Sequence, residues 1–174
     1  SAFFDYYESA DDYWDDDSCD QSCTTWMADL LGSTDVDVAV LMFGELDGVA
    51  HAEGYGAEFE SYRRMLGRVD TQIGQVLAAG KSRDQDWTVV LSSDHAGDAE
   101  HHHGRNTPAH RTIPFIVSGP GVESGELWPP PRTVDVVPTV LGLLGVSTDA
   151  GLDGRSVVAG PRGRPAPSLG ENVL

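Results

Sequence analysis

Residues 36–43, VDVAVLMF, are β-branched and almost continuously apolar after Asp37, and residues 87–92, WTVVLS, repeat that character. A strand without polar alternation is one covered on both faces, which is the situation of a strand inside a parallel sheet. Between these runs Phe59, Tyr62, Leu66, Val69, Ile73, Val76 and Leu77 recur at steps of three and four residues. That spacing predicts one face of a helix over residues 57–79, with Glu58 and Glu60 in its first turn and Gly80 at its end. Strand, long helix, strand is a βαβ unit, which crosses over right-handed and makes its two strands parallel.

The remaining pattern is thinner. Residues 113–117, IPFIV, predict a third strand, with Pro114 tolerable only near its start. A last helix is predicted in VVPTVLGLLG, with Asp135 as N-cap, Pro138 in the first turn and Gly145 closing it. A short helix over residues 26–31 is expected, capped by Thr25 and ended by Gly32. Residues 44–56, GELDGVAHAEGYG, read as a loop. A parallel sheet needs helices on both faces, and three strands with two strong helices do not complete one. The expected fold class is therefore α/β, a three-layer αβα arrangement with a mostly parallel sheet, present here only in part. The sheet either gains strands from residues outside this chain or leaves a long apolar edge exposed. The expected organisation is an acidic amino-terminal segment over residues 1–34, an α/β part over 35–160 and a Pro/Gly-rich tail over 161–174.

Charge narrows the partners. The formal net charge is -17, and Lys81 is the only lysine. Nucleic acid and anionic membrane surfaces repel such a chain, and no apolar run is long enough to span a bilayer. The consecutive Asp15, Asp16 and Asp17 lack calcium-loop spacing and read as a solvated face. Cys19 and Cys23 either close a small disulfide loop, which would suit an exported protein, or are separate reduced thiols.

Chemistry is carried by Asp and His at predicted strand ends. Asp47 and His51 follow the first strand, Asp94 and His95 the second, and His103 lies before the third. In open α/β sheets ligands bind beyond the carboxyl ends of the strands, where loops can aim such side chains at one point. Carboxylate oxygen and imidazole nitrogen both suit Zn²⁺. Each element has a plainer reading. Asp47 and His51 can be turn residues, Asp94 a cap followed by a surface histidine, and His101, His102 and His103 an exposed polar loop. Glu45 reads most simply as an exposed loop carboxylate, Asp70 as a helix-surface charge, and Arg105 and Arg111 as cations that can approach a phosphate.

The segments FGELDGVAHAEGYG, VDTQIGQVL, TVVLSSDHAGD, HHHG, RTIPFIVSGPGV, VDVVPTVLGLLGV and LDGRSV resemble, in that order, the carboxy-terminal half of the alkaline phosphatase superfamily. They look most like its type I phosphodiesterase/nucleotide pyrophosphatase branch, while the SDH element is shared with sulfatases and phosphomutases. The resemblance implies two divalent metal ions, Zn²⁺ by expectation, and a small phosphate-ester substrate. Its ligands carry over onto Asp47, His51 and His103 for one ion and onto Asp94 and His95 for the other. His103 is preferred to its neighbours because Gly104 follows it, and His110 is a reserve ligand. Ala96 stands where the family pattern has glycine. The resemblance also implies that the nucleophilic Thr or Ser comes from an amino-terminal half upstream, since the surroundings of Thr24 and Thr25 do not match it. This chain alone is thus expected to be the metal-binding half of a hydrolase, inactive by itself; a sulfatase, a phosphomutase or a non-catalytic interaction fragment are the other readings.

Overall fold

The computed structural model describes residues 19–147 and 151–158, in two compact units. The first comprises residues 19–85 and 95–112, the second residues 86–94, 113–147 and 151–158. The predicted tail and the Asp15–Asp17 run lie outside the described residues.

The first unit is built on three helices, α1 (Cys19–Ser33), α2 (Glu45–Glu53) and α3 (Glu60–Lys81), with α1 and α2 both packed on α3. The helix expected over residues 26–31 starts seven residues earlier. Thr25 is an interior residue whose hydroxyl donates back to the Gln21 carbonyl at 2.9 Å, not a cap. The cap comes instead from another element. Glu45 Oε1 accepts the Asp20 N–H at 3.0 Å, and the Asp20 carboxylate accepts the N–H groups of Gly44 at 2.8 Å and Glu45 at 3.1 Å. Each acid thus satisfies orphan donors at the other helix's start, where negative charge is also favoured. Both acids are buried, and Glu45 also meets Arg68 at 3.2 Å, so the exposed loop carboxylate expected at position 45 is a structural clasp.

That clasp explains why residues 45–53 are a helix and not the loop their glycines suggested. Gly48 lowers helix propensity by about 1 kcal/mol relative to alanine. Two first-turn acids, Glu45 and Asp47, and the donors satisfied by Asp20 favour the helix. Along α3 the buried residues are Met65, Val69, Gln72 and Gly80, whereas Leu66 is exposed. The covered stripe is therefore rotated from the predicted one toward α1 and α2. Asp70 is exposed as expected. Cys19 and Cys23 lie one turn apart on α1 and are not joined in a disulfide.

The strand expected over residues 36–43 is absent: these residues carry no regular secondary structure. Among the described residues no backbone ladder reaches them, and Val38, Val40 and Met42 are 45%, 73% and 75% exposed. A strand exists only through its neighbours' hydrogen bonds, and the described residues supply none here.

In the second unit β1 (Val89–Ser92) pairs with β2 (Phe115–Ser118), and the pairing is antiparallel, with Ser92 opposite Phe115 and Val89 opposite Ser118. The chain re-enters the sheet beside the point where it left, as in a hairpin with a long loop, and that loop includes α4 (Pro108–Arg111) of the first unit. A mostly parallel sheet is not what the described residues form; they contain this two-stranded sheet alone. A 3-10 turn, Thr133–Asp135, leads into α5 (Val136–Leu143). Asp135 stands at the N-cap position as predicted, but its carboxylate accepts the N–H groups of Arg132 and Arg155, at 2.8 and 2.9 Å, and does not cap α5. Burial raises its pKa, yet these donors and the two guanidinium charges outweigh burial and hold it below the ordinary carboxylate value. No helix among the described residues is long and apolar enough to cross a membrane.

Candidate metal centre

Because residues 45–53 are helical, Asp47 and His51 stand one turn apart on the same face, with His51 Nε2 3.5 Å from Asp47 Oδ2. The second contributor is the loop that follows β1. Its base is closed by the Ala96 N–H donating to the His110 carbonyl at 3.0 Å and by the Asp98 N–H donating to the His102 carbonyl at 3.0 Å. His95 and His103 both emerge from this loop, and their rings stack, with centroids 3.8 Å apart and an interplanar angle of 6°. His103 Nε2 lies 3.1 Å from His51 Nε2, and His95 Nε2 lies 3.9 Å from Asp47 Oδ1. One carboxylate and three imidazoles therefore converge. Gly104, directly after His103, has φ +83°, a left-handed conformation that favours glycine.

Two facing imidazole nitrogens can share only one proton between them; otherwise both present lone pairs to a cation. Nitrogens bound to one tetrahedral Zn²⁺ at about 2.0–2.1 Å stand about 3.3 Å apart, close to the His51–His103 separation. Ligand atoms of Asp47, His95 and His103 all lie within 4.8 Å of one another. The donor chemistry thus fits a divalent metal ion, although no residue here distinguishes zinc from its neighbours in the series. His95, expected in a different set from Asp47 and His103, stands with them. Asp94 is exposed and belongs to the second unit.

His110, the reserve ligand, has both ring nitrogens engaged. Arg105 N–H donates to Nδ1 at 2.9 Å, which puts the proton on Nε2, and Nε2 donates to Asp98 Oδ2 at 2.8 Å. Asp98 Oδ1 accepts the N–H groups of Glu100 and His102, both at 3.0 Å. The His110 hydrogen bond, aided by these two N–H groups, holds the Asp98 carboxyl down at about 2. Asp98, Glu100 and His102 form a second grouping of possible ligands, but the Asp98 oxygens are already turned onto the loop's own donors. Arg105 lies 3.9 Å from Asp98, and Arg111 donates to the Asn106 side chain at 2.7 Å.

Sequence reasoning missed three participants. Tyr55 donates its hydroxyl hydrogen bond to Asp47 Oδ1. The Tyr62 pKa is raised by burial and by the Asp47 charge. Asp98 organises the loop, and its one legible signal was an Asp two and four residues before the N–H groups it binds, as in an Asx-turn. Ala96, where the resemblance pattern has glycine, is not among the positive-φ residues; one residue later Gly97 is required for space, since a Cβ there would stand 2.4 Å from the Tyr55 ring.

A sequence model of the sulfatase family matches residues 2–146. The chain belongs to the sulfatase family, within the alkaline phosphatase superfamily. It is similar to arylsulfatase K of Danio rerio, 35% identical over 106 residues that cover 56% of this chain and 20% of that protein. It is also similar to 2,3-bisphosphoglycerate-independent phosphoglycerate mutases. That of Salinibacter ruber is 32% identical over 140 residues, covering 76% of this chain and 24% of the relative. That of Clostridioides difficile is 28% identical over 137 residues, covering 75% and 26%. The matched stretch of this family member thus spans about a quarter or less of each curated relative's length. No solved structure matches it.

Proposed function

We propose that this chain is the metal-binding part of an enzyme that cleaves or transfers phosphate or sulfate ester groups, with Asp47, His51, His95 and His103 as ligands of divalent metal, Zn²⁺ by preference. The observation that carries the reading is the convergence of Asp47 with three imidazoles drawn from a helix and a separate loop. Its relatives are a sulfatase and phosphomutases, which favours those chemistries over the phosphodiesterase/nucleotide pyrophosphatase branch that the motifs first suggested. Bound divalent ions supply Lewis-acid polarisation of ester oxygens and charge neutralisation. The residues of this chain hold position and charge. Asp47 contributes the anion, and neutral His51, His95 and His103 contribute nitrogen donors.

The test is equilibrium dialysis of the full chain against Zn²⁺ with metal analysis, followed by titration of the loaded protein with phosphate and with sulfate. The expected result is bound metal, lost in Asp47→Asn and His103→Ala, and an oxyanion that binds only when metal is present. Equal metal content in wild type and both variants would sink the reading. A second reading, a non-catalytic chain that pairs with another polypeptide, is favoured by the exposed Val38, Val40 and Met42; absence of oxyanion binding together with a stable complex would support it.

A further inference from the structure

We infer that Tyr55 is a positioning residue of this metal centre, holding Asp47 in place and fixing the approach of the His95–His103 loop to α2; the inference rests on the metal-binding reading above. Three independent contacts meet at this one residue. Its hydroxyl donates to Asp47 Oδ1. Its backbone N–H donates to the Asp98 carbonyl at 3.1 Å, tying the end of α2 to the loop. Its ring fills the space beside Gly97, where any side chain would collide with it. The ring also stands edge-on to all three histidines, at 5.8 Å from His51, 6.4 Å from His95 and 6.2 Å from His103.

The chemical consequence follows from the carboxylate's two oxygens. A free carboxylate can take an ion on either oxygen or on both, and it rotates about its χ2 bond. With the phenol on Oδ1, that oxygen is held toward His95 Nε2, 3.9 Å away, and Oδ2 toward His51 Nε2, 3.5 Å away. Tyr55 therefore fixes the rotation of the Asp47 carboxylate within the donor set and removes freedom that binding would otherwise have to freeze. Groups that orient a ligand in this way are typically worth about 10- to 100-fold in metal affinity. Because Tyr55 touches both the helix bearing Asp47 and His51 and the loop bearing His95 and His103, it couples the two halves of the donor set.

The experiment uses the full 174-residue chain loaded with Co²⁺, whose visible bands report ligand geometry, and with Zn²⁺ by calorimetry. Tyr55→Phe is expected to weaken both ions about 10- to 100-fold and to shift the Co²⁺ bands, while circular dichroism and the thermal midpoint of the metal-free protein stay unchanged. Gly97→Ala, which displaces the ring, is expected to move the bands the same way. In wild type, Co²⁺ or Zn²⁺ is expected to perturb the near-ultraviolet tyrosine band, a readout that needs no variant to fold. Tyr55→Phe with wild-type affinity and bands, or no tyrosine perturbation on loading, overturns the inference and leaves the metal site standing. Failure of wild type and Asp47→Asn alike to bind either ion overturns both.

Discussion

The three-helix region and residues 36–43 are both rich in apolar side chains, yet one is closed and the other open. Met27, Leu31, Met65 and Val69 are buried among α1, α2 and α3, whereas Val40 and Met42 are about three-quarters exposed. The difference lies in where each kind of element finds its hydrogen bonds. A helix satisfies its interior backbone within itself and needs outside help only at its ends, which Asp20 and Glu45 give each other. A strand satisfies nothing alone, and its apolar side chains have no surface to lie against until neighbours arrive. The candidate metal centre draws Asp47 and His51 from that closed region.

The comparison can be broken by substitution. Met65→Ala, which empties a buried position on α3, is expected to cost about 2–5 kcal/mol in urea unfolding; a loss below about 1 kcal/mol would mean the helical region is not packed as described. Asp20→Ala strips the α2 start of its acceptor, and a cost of about 1–3 kcal/mol is expected, together with weaker metal binding because α2 carries Asp47 and His51. Unchanged stability and affinity would remove the clasp from the account.

Acid sharpens the contrast further. The Asp98 carboxyl is held at about 2 against an ordinary 3.8. A depressed carboxyl stabilises the fold above its unfolded value, and that contribution is lost as pH falls through the folded one. The loop bearing His103 should therefore loosen between about pH 4 and pH 2, seen as faster amide exchange over residues 96–110, and Asp98→Asn should remove that pH step. Met42→Gln is the smallest change. On an exposed position without a packed neighbour it should alter stability by less than about 0.5 kcal/mol; a large loss would show that residues 36–43 already make stabilising contacts.

Much of the candidate site could be read from the sequence. Asp47, His51 and His95 were named by their order and by their positions near β-branched runs, His103 was singled out from its neighbours by the family resemblance, and the structure brings these four together. Asp94, named with them, belongs to the other unit. What could not be read was the support. The Asp47-x3-His51 spacing looked like a loop because its glycines argue against a helix, and the capping acid that reverses the balance lies 24 residues away in sequence. Tyr55 gave no signal, because a tyrosine in a Gly-rich stretch acquires meaning only from the carboxylate and the glycine it touches. His110, read as a spare ligand, resembles one in type; only its partners at both nitrogens assign it to the loop's framework.

By itself the sequence determined that α3 and α5 are helices, the β-branched runs that became β1 and β2, and the donor types of the site, because these follow from propensity, periodicity and side-chain chemistry. Tertiary structure alone decided that β1 and β2 run antiparallel, that residues 36–43 stay unpaired among the described residues, and that α2 exists. Strand pairing and cross-element capping are satisfied by groups distant along the chain, and a local pattern carries no information about which distant group arrives.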